Sequence, residues 1–279
     1  MIGWLQRQKQ KLSRRHAFVA VGYPKVGNTW LRLTLGYYLQ LRYQLKDLPL
    51  MDSGDSQPLL ATGASAVGEF THAPLEWDAQ QASDLTEDNV IGPFAGRRVL
   101  FLTRYPLDTL VSLFMQQRHR TQHAPFTGSI ADFVADPVFG IEKLLRFHQL
   151  WARGAAATAG FHLWRYEDAL ANPRASFEAV LRFLGEPVDE AAVTHAVERS
   201  SFENVRALET SGKQPVYKSS NLAIFATGDP SNPNALHTRK GRAGGYRDEL
   251  PRDLSEALER RISAEMPAMF QYSVPPAGQ

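Results

Sequence analysis

Three successive units of strand, turn and helix predict an α/β fold: a central parallel sheet flanked by helices, in a single domain. The strands are read at 17–22 (AFVAVG), 97–103 (RRVLFLT) and 160–166 (GFHLWRY), short apolar runs of the kind that a sheet covered on both faces requires. Each run leads through a turn into a helical pattern, and in such sheets ligands gather at the carboxyl ends of the strands.

The elements follow in order. The first run stops at Gly22, and the segment from Asn28 to Tyr43 carries Trp30, Leu31, Leu33, Leu35, Tyr37, Tyr38, Leu39 and Leu41, a broadly apolar helix. The second run is followed by Pro106 and a helix from Leu107 to about His119. After the third run, Asn172 reads as a cap, Pro173 as the first helical position and Gly185 as the stop. Further helical patterns occupy 129–135, 138–153, 189–199 and 251–265. The stretches 47–66 and 211–240 are rich in Gly, Pro, Ser and polar residues, and are expected to be irregular and to border the active site. The chain is divided into a basic N-terminal segment (1–16), the domain proper (17–266) and a C-terminal tail (267–279).

Composition narrows the chemistry. The 279 residues include no cysteine, so disulfides, thiolate metal sites and thiol nucleophiles are excluded, and a reducing compartment is permitted. The sequence has no apolar run long enough for a membrane span and opens without a secretory pattern, so a cytoplasmic location is expected. The net charge of +2 conceals an asymmetry: residues 1–46 hold nine Lys/Arg and no acid, and the remainder holds 22 basic against 29 acidic residues. An anionic partner near the N-terminal third is implied, whether nucleotide, nucleic acid or membrane surface.

The loop Gly22-Tyr23-Pro24-Lys25-Val26-Gly27-Asn28-Thr29 has the glycine spacing of a P-loop. Glycines let backbone N–H groups turn toward an anion, and the helix that follows adds its positive end. Asn28 stands where a nucleotide-hydrolysing P-loop has lysine, and lysine lies inside the loop at Lys25. The strand VLFLT ends at Arg104, where such enzymes need an acid for magnesium. A second anion, and no metal, fits that position. His119 and His123 have i, i+4 spacing, but no third ligand accompanies them.

YPKVGNTW resembles the 5'-phosphosulfate loop (YPKSGTTW) of the sulfotransferases that use 3'-phosphoadenosine 5'-phosphosulfate, with Val26 and Asn28 departing from it. Other landmarks follow in the family's order. LTRYPLDTLVSLF is similar to the 3'-phosphate segment and implies roles for Arg104 and Ser112. RYEDALANP resembles the stretch whose tyrosine approaches adenine, implying Tyr166, and SSFENV resembles the adenine-side TSF segment, implying Ser200 and Phe202. Arg239-Lys240-Gly241 matches the RKG motif that closes on the 3'-phosphate. FTHAPL resembles the KTHLPL segment of the catalytic histidine, giving His72, with Phe70 replacing the lysine and removing one expected positive charge.

The resemblance spans residues 17 to about 256 and implies a sulfotransferase of P-loop-like fold. It implies His72 as general base, Lys25 neutralising charge on the bridging oxygen, and loop residues Val26, Gly27, Asn28 and Thr29 holding the 5'-phosphate. Arg104, Ser112, Arg239, Lys240 and Gly241 would take the 3'-phosphate, and Trp30 and Phe202 would sandwich adenine. No metal is implied. The acceptor is a hydroxyl or amine of a small molecule, lipid or carbohydrate, with apolar walls expected from Phe70, Trp77, Phe114, Phe126, Tyr217 and Phe225. No nucleic-acid partner is expected. The family's dimer motif is not kept: Arg247 is followed by Pro251-Arg252 and only later by Glu256. Two other readings stay open, a P-loop small-molecule kinase and a non-catalytic nucleotide-binding or membrane-surface module that uses the basic N-terminus.

Overall fold

The structure, a computed structural model, describes residues 18–51, 56–74, 76–121, 125–217, 220, 222–225 and 231–272. The basic segment 1–16, His123 and the last residues of the tail therefore lie outside the described residues. Strands β1 (Phe18–Gly22), β2 (Gly68–His72), β3 (Arg98–Thr103) and β4 (Gly160–Arg165) form one parallel sheet in the order β2-β1-β3-β4. The helices that matter here are α1 (Asn28–Arg42), α2 (Pro106–His119), α3 (Ile141–Gly154), α4 (Pro173–Leu184), α5 (Glu190–Arg199), α6 (Phe202–Thr210) and α7 (Arg252–Glu265). The predicted α/β architecture with flanking helices is the observed one. No helix among the described residues is long and apolar enough to cross a membrane.

Every residue of β1 is buried, as a central strand between two neighbours demands. From β1 the chain moves outward to β2 on one side and to β3 and β4 on the other, which makes the carboxyl end of β1 the topological switch point. The Asn172 side chain accepts from the N–H of Ala175 at 3.0 Å to cap α4, and Gly185 at φ 77° ends it.

The structure adds three features and corrects one expectation. The FTHAPL motif begins in a strand: Gly68–His72 pair along β1, with His72 level with Gly22. As an edge strand, β2 buries only alternate residues and keeps Glu69, Thr71 and His72 half-buried, so no apolar run announces it. SSFENV opens a helix, α6, capped by Ser201. The polar stretch 47–66 contributes a short helix, Ser56–Leu60, and buries Leu50, Met51 and Leu59 in the core instead of bordering the cleft. Past residue 266 the chain still packs on the sheet: Phe270 is fully buried and the Tyr272 hydroxyl bonds Thr103 at 2.5 Å.

The core centres on Phe101 of β3, whose ring is met by Trp151 at 5.0 Å, Phe270 at 5.1 Å, Phe161 at 5.6 Å and Phe147 at 5.8 Å. This joins β3, β4, α3 and the end of the chain in one aromatic cluster. Phe101→Ala should cost about 3–5 kcal/mol in urea unfolding. A loss under about 1.5 kcal/mol would show that the cluster closes over the gap.

Candidate active site

The carboxyl ends of all four strands open into one cleft of about 470 Å³. Beyond β1 lies the glycine loop with Lys25, β2 ends in His72, Arg104 follows β3, and Tyr166 follows β4. Four adjacent parallel strands thus deliver one polar group each to the same place. The RKG loop closes the cleft with Arg239, Lys240 and Gly241, and Ser112 reaches it from the second turn of α2.

The loop geometry suits an anion. Gly27 precedes α1 at φ 106°, and a Cβ there would meet the Trp164 and Tyr166 rings at 3.0–3.1 Å. Helix α1 has neither a capping side-chain bond nor an acid in its first turn, so its leading N–H groups are left for a ligand. Lys25 holds φ 76°, a left-handed conformation that costs a non-glycine residue about 1–3 kcal/mol. Gly241, at φ 63°, lies so close to Phe202 that a Cβ would come within 2.2 Å of its ring. The RKG loop and the start of α6 are therefore in direct contact.

Electrostatics sharpen the picture. Burial draws the Lys25 ammonium well below its ordinary pKa, and the cations of Arg120, Arg104 and Arg239 draw it further, opposed by Glu209. The guanidinium of Arg104 lies 4.4 Å over the Tyr166 ring, and its Nε is buried with no hydrogen-bond partner among the described residues. Nη1 of Arg120 is in the same condition, although its Nη2 donates to Gln116 at 2.6 Å. A buried unpaired donor costs about 1–3 kcal/mol, so these groups fit a cleft that holds an anion.

His72 is pushed down to about 4, first by burial and then by Arg32 and Lys25, while the Gly22 carbonyl opposes the shift. Its Nδ1 lies 3.3 Å from both that carbonyl and the Asn28 amide nitrogen. A carbonyl only accepts, so the proton belongs on Nδ1, and the Asn28 amide is free to donate to Thr71 O at 3.4 Å. Nε2 then carries a lone pair in a ring that is neutral at neutral pH.

The remaining candidates divide. Trp30 donates to the Ser200 carbonyl at 2.9 Å, and its ring meets Tyr166 edge-on at 5.3 Å. Asn28, Thr29, Trp30 and Phe202 line the cleft, whereas Val26 is buried in the core. Ser200 also lines the cleft; the residue is 2% exposed, and its hydroxyl donates to Ala196 O at 2.7 Å and accepts from Thr34 at 2.9 Å. Lys240 is ion-paired with Asp248 at 2.6 Å and Glu249 at 2.8 Å, and Arg239 with Glu249 at 2.7 Å.

Of the proposed apolar walls, Trp77 and Phe225 line the cleft. Phe114 and Phe126 instead pack on Phe133, at 5.4 and 5.0 Å. Phe70 and Tyr217 sandwich Arg32, whose guanidinium lies 4.9 Å from the first ring and 5.2 Å from the second. Arg32 is thus a cation beside position 70. Sequence reasoning missed Arg120, Gln116, His237 and Glu209. Glu209 had a signal, an acid four residues after the buried Val205 on the same face of α6.

The family model of the sulfotransferase domain matches residues 15–270. This chain belongs to the sulfotransferase domain family. Among curated proteins, this sulfotransferase is 24% identical over 266 residues to sulfotransferase 1A1 of Bos taurus, which covers 88% of this chain and 81% of the relative. Among solved structures it is similar to mouse sulfotransferase SULT7A1 complexed with PAP, with TM-score 0.58, 19% identity, and coverage of 93% and 89% of the two chains. It is also similar to retinol dehydratase complexed with androsterone and inactive cofactor PAP, with TM-score 0.55, 17% identity, and coverage of 92% and 82%. At these identities the structural likeness establishes the fold.

The histidines give a pH test. His72 and His148 titrate near 4 and His237 near 3, all lowered first by burial, whereas an unfolded histidine titrates near 6.5. The unfolded chain therefore takes up protons first, and the free sulfotransferase should lose stability as pH falls from about 6.5 toward 4. The slope is up to about 1.4 kcal/mol per pH unit for each histidine. An NMR titration of His72 should show a midpoint near 4, and a midpoint near 6.5 would place the ring in solvent.

Proposed function

We propose that this sulfotransferase moves the sulfuryl group of 3'-phosphoadenosine 5'-phosphosulfate to a hydroxyl or amine of a small acceptor. The observation that carries this reading is the convergence of Lys25, His72, Arg104 and Tyr166 from four neighbouring strand ends, closed by Arg239–Gly241. When bound, the donor supplies an electrophilic sulfur and a nucleotide leaving group. In mouse SULT7A1 and in retinol dehydratase, the solved complexes contain PAP.

On this reading the leading N–H groups of α1 and the Thr29 hydroxyl bind the 5'-phosphate. Lys25, already in place, meets the negative charge that grows on the bridging oxygen. Arg104, Ser112, Arg239 and Lys240 take the 3'-phosphate, the guanidinium forks matching its oxygens. Adenine lies by Trp30, Tyr166 and Phe202. His72 Nε2 accepts the proton of the acceptor hydroxyl as the new oxygen–sulfur bond forms. Being neutral above pH 4, the ring is ready as a base across the neutral range. The acceptor approaches past Trp77 and Phe225, two aromatic walls suited to an apolar small molecule. A cytoplasmic location, in keeping with the cysteine-free composition, belongs to the same proposal.

Lys25→Met and His72→Ala should each abolish transfer of labelled sulfuryl while the circular dichroism spectrum is kept. Near-normal turnover in either variant removes that residue from its assigned role. Arg104→Ala should weaken donor binding by about 10- to 100-fold, the worth of a charge-assisted phosphate contact. Calorimetry with adenosine 3',5'-bisphosphate measures this, and unchanged affinity takes Arg104 out of the site.

A further inference from the structure

The RKG loop packs three cations into four residues, Arg239, Lys240 and Arg242, beside a cleft that already holds Lys25 and Arg104. Like charges at that density push a surface loop away from the site, so something must hold it there. Two kinds of acid surround it. Glu249 and Asp248 pair with the cations from the solvent side: Arg239 with Glu249, Lys240 with both, and Arg242 with Asp248. Glu209 and Asp108 do something different.

Glu209, on the last turn of α6, is fully buried and bonds none of the three cations. One carboxylate oxygen accepts from His237 N at 2.7 Å and His237 Nδ1 at 3.2 Å, and the other from Thr238 N at 3.0 Å and Thr238 Oγ1 at 2.6 Å. One turn earlier on α6, Arg206 Nη1 donates to the Thr238 carbonyl. At the far end of the loop, Asp108 of α2 is 3% exposed and accepts from Gly244 N at 2.7 Å and Tyr246 N at 3.0 Å. Asp108 lies one turn from both Arg104 and Ser112, so it links the two halves of the cationic cluster.

We propose that Glu209 and Asp108 are positioning residues for the donor, buried carboxylates that pin the two ends of the 239–243 loop so that its cations face the 3'-phosphate. The inference rests on the donor assignment above. Glu209 remains ionised despite burial, because the bonds from His237 and Thr238 outweigh desolvation and bring its pKa to about 2. All its accepting positions are spent on the loop, so it does not compete with phosphate for Arg239 or Lys240. Glu249 and Asp248, by contrast, are partly exposed counter-ions that an incoming phosphate displaces or shares.

The isosteric Glu209→Gln is the informative variant. Its amide nitrogen would turn two hydrogens toward N–H and O–H donors of residues 237–238, so that end of the loop is released while volume is kept. Binding of adenosine 3',5'-bisphosphate and of adenosine 5'-monophosphate is measured by calorimetry on the full chain. In E209Q, and likewise in Asp108→Asn, affinity for the bisphosphate should fall about 10-fold or more while that for the monophosphate stays within about twofold. With labelled donor, KM should rise and kcat at saturation should be kept, a split that general loosening of the fold would not produce.

Thr238→Val, which removes one donor to Glu209, should give a smaller loss with the same selectivity, and it decides the matter if E209Q fails to fold. Equal weakening of both nucleotides, or no weakening, overturns the brace. A wild-type chain that binds both nucleotides equally overturns the donor assignment itself, and the brace with it.

Discussion

The constraint on which the rest of the structure depends is the gathering of like charges at the end of the sheet. Lys25, Arg104 and Arg239 line one cleft, and the Lys25 ammonium is lowered first by burial and then by repulsion from Arg120, Arg104 and Arg239. No pair of surface side chains would hold such an arrangement, because exposed cations move apart at little cost. Here the backbone holds it. Lys25 sits in a left-handed loop residue between a buried strand and a helix, and Arg104 sits between β3 and α2. The apolar core thus supports a charge cluster that opposes folding when the cleft is free.

That arrangement explains where the acids are. Among the described residues, none that lines the cleft is a carboxylate to pair with Lys25 after β1 or Arg104 after β3. Acids appear instead one layer back, as Glu209 and Asp108 on backbone N–H groups, or on the solvent side, as Glu249 and Asp248. A carboxylate directly on Lys25 or Arg104 would quench the charge that a phosphate needs. Buried donors without partners, Arg104 Nε and Arg120 Nη1, are the cost of keeping the cluster open.

Three strands were legible in the sequence because β1, β3 and β4 are apolar runs between turn signals, and their loops carry ordered motifs. The fourth strand was hidden, since β2 lies at the sheet edge and needs only Gly68 and Phe70 turned inward. The residues that reach the cleft from strand ends and turns could be named from local motifs, whereas those that act through tertiary contact could not. Glu209 and Arg120 lie far in sequence from the groups they influence, and no local pattern records that Arg120 acts on Lys25 or that Glu209 faces residues 237–238. Ser200 likewise has contacts that no local motif records: packing of α1 on α5 sets its hydroxyl on Thr34 and Ala196 and its carbonyl on Trp30.

On the proposed reading, the same electrostatics order the two substrates. In the free cleft burial first, and the neighbouring cations after it, favour the neutral forms of both Lys25 and His72. A donor that carries several negative charges reverses the sign of the local field. It holds Lys25 in the ammonium form that the leaving oxygen requires, and it makes a proton on His72 less costly at the moment the acceptor releases one. An acceptor that arrives before the donor meets a base that lacks this help. The charge cluster therefore does more than bind the nucleotide, because the donor's charge also strengthens the base.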